Sequence, residues 1–281
     1  MSVRFTKAHG LGNDFILVAE SDAPEDPGER GEWTRRLCHR HRGIGGDGVV
    51  LHSRAPDGIG MLLYNADGNA SEISGNGLRC LAALAVREGW APAEHTVHTV
   101  VGPRPVEVGS IGPTTFRIVT DLGVPVLASS RVPIDLDPHQ EPVVEYPVEV
   151  LGRTEHVTAT SMGNPHCAVF LDEPADDALL TSLGPALETH PLFPERTNVE
   201  FVTVVSPSEI RVRFWERGVG PTEASGTGSA SAVVAAILNG YTHREVRAVC
   251  DGGILEVSWP ENASLRQTGE VEIVYDGEWR G

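Results

Sequence analysis

The fold is decided by the stretch Ser74-Gly75-Asn76-Gly77 and the apolar run that follows it, Leu78-Arg79-Cys80-Leu81-Ala82-Ala83-Leu84-Ala85-Val86. The same arrangement returns 151 residues later as Ser225-Gly226-Thr227-Gly228, again followed by a run of small and apolar residues. Each nearly all-apolar run predicts a helix that is buried on every side. Each run ends close to a glycine, Gly89 or Gly240, which is the usual stop signal of a helix.

The offset of 151 residues also aligns other parts of the chain without a gap, which indicates an internal repeat. The stretches that it superimposes are Gly12-Asn13 on Gly163-Asn164, Glu72 on Glu223, Gly89 on Gly240, 15–18 on 166–169 and 61–64 on 212–215. Short Val-rich runs between Gly and Pro residues are typical of strands. We therefore predict an α/β (α+β) fold with two pseudo-symmetric halves, residues 1–122 plus 268–281 and residues 123–267, each wrapped around one buried helix.

Composition excludes several classes of protein. Asp and Glu (39) outnumber Lys and Arg (22), so the net charge of −17 opposes binding to a nucleic-acid backbone. No apolar run approaches the roughly 20 residues of a membrane span. The four cysteines lack metal-ligand spacing and the N-terminus lacks the form of a signal peptide, so we expect a cytoplasmic protein with reduced thiols and no metal site. Residues 33–42 and 176–187 are predicted to form amphipathic surface helices without a function.

The two Ser-Gly motifs suggest a common chemistry. Serine is a preferred N-cap, glycine allows close approach of the backbone, and the free N–H groups at a helix N-terminus bind anions. A carboxylate held by both motifs would have Ser74 on one face of its α-carbon and Ser225 on the other. That geometry suits inversion of configuration at the α-carbon, in which one group removes a proton and another delivers one. The alternative is that both motifs are plain N-caps on core helices.

Several longer motifs carry a resemblance to a known family. They are 9–15 (His-Gly-Leu-Gly-Asn-Asp-Phe), 43–48 (Gly-Ile-Gly-Gly-Asp-Gly), 64–68 (Tyr-Asn-Ala-Asp-Gly), 74–80 (Ser-Gly-Asn-Gly-Leu-Arg-Cys), 163–167 (Gly-Asn-Pro-His-Cys), 197–201 (Thr-Asn-Val-Glu-Phe) and 215–220 (Trp-Glu-Arg-Gly-Val-Gly). Taken together, they make the chain resemble the diaminopimelate epimerases from end to end. The resemblance implies two homologous halves, each a strand barrel around a central helix, with the active site between them.

The resemblance also implies roles for individual residues. Those expected to contact the substrate are Asn13, Asn65, Asn164, Asn198, Glu216 and Arg217. The backbone of Gly75-Asn76 and of Gly226-Thr227 would cradle the reacting carboxylate, and His166 and Glu216 would tune the acid/base pair. Arg217 can fork onto a distal carboxylate while Glu216 and the asparagines orient the ammonium groups. An asparagine in a turn can also serve backbone geometry alone, and Glu216-Arg217 can form an ordinary ion pair.

The sequence departs from the family at the two catalytic positions. In diaminopimelate epimerases a cysteine precedes each of the two glycine loops, and these thiols act as base and acid; here the residues are Ser74 and Ser225. An alcohol is much harder to deprotonate than a thiol. Three explanations stay open: engineered Cys→Ser replacements, a natural variant whose serines are activated by His166 or Glu216, and a homologue that binds an amino acid without turnover. Cys80 and Cys167 are expected to be small buried hydrophobes.

The leading functional prediction is a cofactor-independent epimerase of LL- and meso-2,6-diaminopimelate. The alternatives are a racemase or isomerase of another amino acid on the same fold and a catalytically impaired amino-acid-binding homologue. No pyridoxal phosphate is expected, because the only lysine, Lys7, lies beside the first strand. The expected partner is a small amino-acid substrate, with no nucleic acid and no membrane, and the resemblance implies a homodimer.

Overall fold

The structure is a computed structural model that describes residues 2–261 and 263–281. The chain divides into two compact units, Met1–Asp121 with Thr268–Gly281, and Leu122–Gln267. The first ten helices and strands are β1 (Val3–Gly10), β2 (Asn13–Ala19), α1 (Pro27–Cys38), β3 (Gly48–Ala55), β4 (Gly58–Asn65), β5 (Ala70–Ser71), α2 (Gly75–Arg87), β6 (Glu94–Thr99), β7 (Gly102–Ser110) and β8 (Thr115–Gly123). The others are β9 (Val143–Val150), β10 (Arg153–Ser161), β11 (Pro165–Phe170), α3 (Asp177–Glu188), β12 (Asn198–Ser206), β13 (Glu209–Glu216), β14 (Gly220–Thr222), α4 (Gly226–Leu238), β15 (Glu245–Cys250), β16 (Gly253–Ser258) and β17 (Leu265–Trp279).

The first unit is a closed barrel of strands around α2. β1 pairs antiparallel with β2, β2 parallel with β3, β3 antiparallel with β4 and β4 parallel with β6. β6, β7 and β8 continue the ring as antiparallel neighbours, and β17 closes it by pairing with both β8 and β1. Closure pairs the strand edges of the sheet with one another. Inside, the buried leucines Leu78, Leu81 and Leu84 of α2 pack with Phe15 and Ile118.

The second unit repeats this order around α4. β10 pairs antiparallel with β11, β11 parallel with β12, β12 antiparallel with β13, β13 parallel with β15 and β15 antiparallel with β16. β9 adds an antiparallel strand next to β10. Buried Val233 and Val234 of α4 pack with Val202 and Phe214. Two homologous halves, each a strand barrel around a buried helix, are therefore confirmed.

The two central helices begin at the predicted serines. Ser74 is the N-cap of α2 and Ser225 is the N-cap of α4, so each helix also includes the glycine loop that precedes the apolar run. Gly89 and Gly240, beyond the helix ends, adopt positive φ angles of 66° and 73°. This is the left-handed conformation in which glycine has no Cβ penalty. The predicted stop signals are therefore confirmed.

The amphipathic helix predicted at 33–42 is displaced in the structure. α1 begins six residues earlier, because Pro27 occupies its first turn and the Asp26 carboxylate accepts hydrogen bonds from the N–H groups of Gly28 and Glu29. It ends at Cys38, since His39 is extended, so residues 39–42 lie outside the helix. The helix predicted at 176–187 is α3, with Asp176 as its N-cap.

In the two described stretches of the chain, no helix has both the length and the apolar character needed to cross a membrane. Cys80 and Cys167 are wholly buried in the apolar cores, as predicted.

Candidate active site

Each half presents a serine at the N-terminus of its buried helix in the same geometry. Ser74 has φ −126° and ψ 125°, and its Oγ accepts a hydrogen bond of 3.1 Å from the N–H of Gly77. Ser225 has φ −134° and ψ 124°, and its Oγ accepts a bond of 3.2 Å from the N–H of Gly228. The first N–H groups of a helix have no partner within it and carry the positive end of the helix dipole. Each N-terminus therefore favours a negatively charged group.

Close packing around these N-termini explains why glycine is required. A Cβ atom on Gly228 would lie 2.9 Å from Cδ1 of Phe214 and 2.9 Å from Oγ of Ser225. A Cβ atom on Gly10 would lie 2.9 Å from Oδ1 of Asn76. These glycines leave room for the serine and asparagine side chains that form the site.

Asn13 lies beside the N-terminus of α2 in the first unit. It follows the β1–β2 turn, where Leu11 and Gly12 have φ angles of 54° and 82°. Its Oδ1 accepts a hydrogen bond of 3.3 Å from Nδ2 of Asn76, and its Nδ2 donates one of 2.7 Å to Oδ2 of Asp47. The structure thus brings together two predicted substrate contacts, Asn13 and Asn76, and fixes the orientation of both amides.

A network of charged side chains surrounds Asp47, the residue that holds Asn13. Asp14 accepts hydrogen bonds from Lys7 Nζ at 2.6 Å and from Arg40 at 2.8 Å and 3.1 Å, and Arg40 also contacts Asp47 at 2.7 Å. Burial opposes ionisation of Asp14, but hydrogen bonds from Arg40 and Lys7 outweigh it and hold the pKa of Asp14 well below its usual value. Lys7 is therefore occupied in an ion pair, and Asp47, which the sequence analysis did not assign, is the residue that orients Asn13.

Asn65 lies at the end of β4, where its side chain is exposed. The strand turns immediately afterwards, because the N–H of Gly68 bonds to the carbonyl of Asn65. The N–H of Ala66 bonds to the carbonyl of Asp47 at 2.9 Å, so this turn is anchored to the segment that holds Asn13. The side chain of Asn65 makes no hydrogen bond to any other described residue and is free to contact a ligand.

Half-buried Asn164 forms a cluster with the buried residues His166 and Glu200 in the second unit. Asn164 follows Gly163, whose φ is 102°, as Asn13 follows Gly12 in the other half. Nε2 of His166 lies 2.9 Å from Oδ1 of Asn164, and Nδ1 of His166 lies 2.7 Å from Oε1 of Glu200. His166 and Glu200 are both almost completely buried, and Oε2 of Glu200 has no hydrogen-bond partner within the described parts of the chain. Burial raises the pKa of Glu200, and the neighbouring His166 opposes that shift.

Asn198 ties two segments of the second site together. Its Oδ1 accepts a hydrogen bond of 2.9 Å from the backbone N–H of Arg217, and its Nδ2 donates one of 2.9 Å to the carbonyl of Pro165. The Arg217 guanidinium donates to the carbonyl of Glu195 at 3.0 Å. The neighbouring Glu216 is half-buried and lies close enough to Glu200 to raise its pKa further.

The turn that carries Glu216 and Arg217 is held by a residue that the sequence analysis did not assign. Glu188, at the end of α3, accepts hydrogen bonds from Nε1 of Trp215 at 2.7 Å and from the N–H of Gly218 at 2.8 Å. Arg196 contacts the same carboxylate at 3.2 Å. The sequence around Glu188 does not indicate this role, because the Gly218 N–H group that it binds lies 30 residues further along the chain.

The cradle at the start of α4 is half-buried. Gly226 and Thr227 are its first two residues, and the carbonyl of Gly226 accepts a hydrogen bond of 2.7 Å from Nε2 of Gln267. Gly75 opens α2 in the same way. No cysteine is available at either cradle, because all four cysteines are buried and unpaired. The side-chain groups at the two N-termini are thus hydroxyl groups.

Comparison with known proteins identifies the family. The diaminopimelate epimerase family model matches residues 5–128 and 158–274, most of both units. The chain belongs to the diaminopimelate epimerase family. It is 42% identical over 284 aligned positions to a diaminopimelate epimerase of Pelotomaculum thermopropionicum and 44% identical over 284 positions to one of Desulforudis audaxviator; 99% of each chain is covered in both cases.

Solved structures share the fold at much lower identity. A hydroxyproline epimerase from Agrobacterium vitis superimposes with a TM-score of 0.68 at 13% identity and covers 99% of this chain and 92% of its own. A methylitaconate-delta-isomerase superimposes with a TM-score of 0.65 at 14% identity and covers 99% and 95%. At these identities the likeness concerns the fold of the diaminopimelate epimerase family, and the assignment of a substrate depends on the full-length relatives.

Proposed function

We propose that this protein is an isomerase that inverts the configuration of one α-carbon of 2,6-diaminopimelate and interconverts its LL and meso forms. Two full-length relatives named diaminopimelate epimerase are 42% and 44% identical to the chain. The structural observation that carries the proposal is the matched pair of N-capping serines. Ser74 and Ser225 have nearly equal backbone angles and the same hydrogen bond to the third residue of the helix.

The helix N-termini bind the carboxylate of the reacting centre in this proposal. Backbone N–H groups of Gly75-Asn76 and Gly226-Thr227 supply donors that need no reorganisation when negative charge grows during proton removal. Asn13 and Asn164 donate to the same carboxylate from their fixed amides. Preorganised donors of this kind lower the energy of the carbanion more than that of the bound substrate before proton removal.

The remaining predicted contacts serve the distal end of the substrate. Arg217 is available to form a bidentate pair with the distal carboxylate, because its guanidinium is committed only to the carbonyl of Glu195 among the described contacts. Glu216, Asn65 and Asn198 bind or orient the distal ammonium group. Recognition of a second charged centre distinguishes diaminopimelate from amino acids with one carboxylate.

The reaction is a proton transfer that balances without an oxidant or cofactor. The Oγ of one serine, in its alkoxide form, takes the α-proton, and the electron pair of the broken C–H bond stays on the α-carbon. The hydroxyl of the other serine delivers its proton to the opposite face of that carbon. One serine starts as alkoxide and the other ends as alkoxide, so the net change is inversion.

Serine makes this reaction slower than a thiol would. The helix N-termini stabilise an oxyanion, but an alcohol has to lose a proton that it holds far more tightly than a cysteine does. We expect turnover at least about 100-fold below that of the Ser74→Cys/Ser225→Cys double variant, since the optimal pKa of an acid/base group lies near the working pH.

Turnover of pure LL-diaminopimelate tests the proposal. Chiral chromatography follows the appearance of the meso isomer for wild type and for the Ser74→Cys/Ser225→Cys variant, while calorimetry measures binding. The proposal requires tight binding and slow inversion in wild type, with faster inversion in the double variant. A racemase of another amino acid predicts inversion of other amino acids and no binding of diaminopimelate. An amino-acid-binding homologue predicts binding with no inversion in wild type.

Other properties extend the proposal. We expect activity to survive dialysis against a chelator and to need no added pyridoxal phosphate, because every proposed step uses a side chain of this protein. A homodimer and a cytoplasmic location are further predictions, which sedimentation and cell fractionation would test.

A further inference from the structure

The cluster of half-buried Asn164 with buried His166 and Glu200 holds more hydrogen-bonding groups than its packing role requires. His166 and Glu200 are 0% and 1% exposed, and each ring nitrogen of His166 faces an oxygen, at 2.7 Å and 2.9 Å. Burial of a charged or polar group is costly unless its partners are in place. Burying these groups costs folding free energy, which points to a role for the cluster beyond stability.

The hydrogen atoms of this cluster can be assigned by counting donors. Oδ1 of Asn164 is an amide oxygen, which accepts and never donates, so Nε2 of His166 carries a hydrogen. This holds for an imidazolium facing an ionised Glu200, and equally for a neutral ring whose Nδ1 accepts a hydrogen bond from the protonated Glu200 carboxyl. In both arrangements Nε2 donates to Asn164, and it has no lone pair with which to accept a proton from serine or substrate.

The other half of the molecule shows that the fold does not need this pair. Strand pairing places Phe15 and Val50 of the first barrel at the positions of His166 and Glu200. Phe15 pairs with Gly48 and Val50 with Leu63, as His166 pairs with Asn198 and Glu200 with Phe214. Phe15 and Val50 are 3% and 0% exposed and lie in one apolar core. The same strands of the first barrel therefore form with two apolar side chains. Replacing a buried ionic pair with apolar residues is often neutral or stabilising, whereas removal of one partner is strongly destabilising.

We propose that Glu200 and His166 are positioning residues that lock the Asn164 amide through the hydrogen bond from Nε2 to Oδ1, so that its Nδ2 group is presented to the substrate carboxylate. Nδ2 of Asn164 makes no hydrogen bond to other residues in the described ranges and points two donors away from His166. Asp47 does the corresponding work for Asn13 by a different contact, through Nδ2. The inference deepens the proposed function and rests on it for the identity of the carboxylate.

The state of the ring can be tested without substrate. Long-range proton–nitrogen spectra of protein labelled with ¹⁵N-histidine report whether each ring nitrogen carries hydrogen, and the His166→Phe/Glu200→Val variant identifies the signals of His166 by their loss. The proposal requires a protonated-type Nε2 in wild type. An Nε2 with a lone pair would mean that the amide is turned round and donates to the ring, and this result would overturn the proposal even if the enzyme is fully active.

The role of the cluster is tested by variants that copy the other half. His166→Phe/Glu200→Val replaces the pair with the residues found at 15 and 50, so we expect its urea midpoint to stay close to that of wild type and above that of Glu200→Val alone. We expect KM for diaminopimelate to rise about tenfold, with a smaller change in kcat, since the amide is free to turn. A wild-type KM in this double variant would show a purely structural role.

A double-mutant cycle separates action through Asn164 from a general disturbance. Asn164→Ala raises KM in wild type, and we expect it to add less than about twofold in the His166→Phe/Glu200→Val background, because the pair acts only through this amide. Full additivity would contradict the proposal. Should wild type bind diaminopimelate without turnover, the dissociation constant replaces KM, so a failure of the proposed function is distinguished from a failure of this inference.

Discussion

Ser74 and Ser225 each have two roles that substitution can separate. As an N-cap, each hydroxyl accepts a hydrogen bond from a backbone N–H group in the first turn of a buried helix. As an acid/base group, each hydroxyl has to exchange a proton with the substrate. The cap needs only an acceptor oxygen, and the reaction needs a hydroxyl or thiol.

Ser74→Ala removes both roles, and Ser74→Asn removes only the second. Asparagine is about as good an N-cap as serine, while loss of a cap costs about 1 kcal/mol. We therefore expect Ser74→Ala to lower the free energy of unfolding by about 1 kcal/mol and Ser74→Asn to leave it nearly unchanged, with epimerisation abolished in both. Urea unfolding and the isomer assay measure the two effects. Retained inversion in Ser74→Asn would exclude Ser74 as an acid/base group.

The four cysteines make a second prediction at this scale. All are buried and unpaired, and burial raises the pKa of Cys38 and of Cys80 to about 12. Thiolate is the reactive form, so we expect no thiol titration by Ellman's reagent in the native protein and four thiols in denaturant. Activity should be insensitive to iodoacetamide. Ser74→Cys serves as the control and should add one reactive thiol to the native protein; rapid titration of wild type would contradict the burial of its cysteines.

Sequence reasoning found the residues that face a ligand more readily than those that hold them. Asn13 and Asn164 were marked by the repeat and by the glycine before each. Asp47 and Glu200 were not marked, because the asparagine or histidine that each contacts lies 34 residues away in the chain. A lone glutamate in the apolar strand 198–204 was the one available signal for Glu200, and it does not name a partner.

At the scale of elements, α2 and α4 follow directly from their amino-acid sequence. Their apolar runs, N-cap serines and terminal glycines predict a start, a buried body and an end. α1 was displaced because the polar cap Asp26 and Pro27 lie well before the amphipathic stretch, and local capping outweighs the apolar pattern at a helix boundary. Register between strands cannot be obtained in this way, since it depends on partners far along the chain.

The N-termini of the two helices differ in how tightly they pack. A Cβ atom on Gly77 would meet its nearest neighbours at 3.3–3.4 Å, whereas one on Gly228 would meet Phe214 and Ser225 at 2.9 Å. We expect Gly228→Ala to destabilise the protein by about 1–3 kcal/mol, as overpacking does, and Gly77→Ala to cost less. Urea unfolding of both variants checks the order. An equal cost would show that the ring of Phe214 moves aside freely.

At the scale of the whole molecule, an offset of 151 residues relates the central helices of the two halves. The helix α4 lies 151 residues after α2 at both of its ends, and β15 lies 151 residues after β6. The halves differ in what supports their central asparagines, a charged network around Asp14 in one and a buried histidine–glutamate pair in the other. The repeat thus predicts the scaffold and its two N-capping serines, whereas the contacts that hold Asn13 and Asn164 differ between the halves.

The stability of the whole chain depends on pH, and His52 makes the folded state less stable as the pH falls. Burial lowers the pKa of His52 to about 4, so the unfolded state takes up a proton at a higher pH than the folded state does. Its contribution is present above about pH 6.5 and is lost as the pH falls through about 4. Between about pH 7 and about pH 4, we expect the free energy of unfolding to fall by about 2–3 kcal/mol more in wild type than in His52→Phe.

Phenylalanine is the matched replacement for this test because His52 stacks on Trp90 with ring centroids 4.8 Å apart. The variant keeps an aromatic ring and removes the titrating group. Urea unfolding at several pH values measures how the free energy of unfolding of each protein changes with pH. Parallel curves for the two proteins would contradict a half-buried His52 that stays neutral in the folded state.

The central claim is that two hydroxyl groups, one from each half, act on opposite faces of one α-carbon. The most direct test is conversion of LL-diaminopimelate in deuterated water, sampled by mass spectrometry before about 5% of it has reacted. With two separate acid/base groups, each inversion delivers a solvent deuteron to the new face, because the abstracted proton stays on the other group. We predict one α-deuterium in the newly formed meso isomer and none in the remaining LL isomer. Deuterium in the remaining LL isomer at the same rate as in the product, or meso product that retains its original proton, would contradict the account.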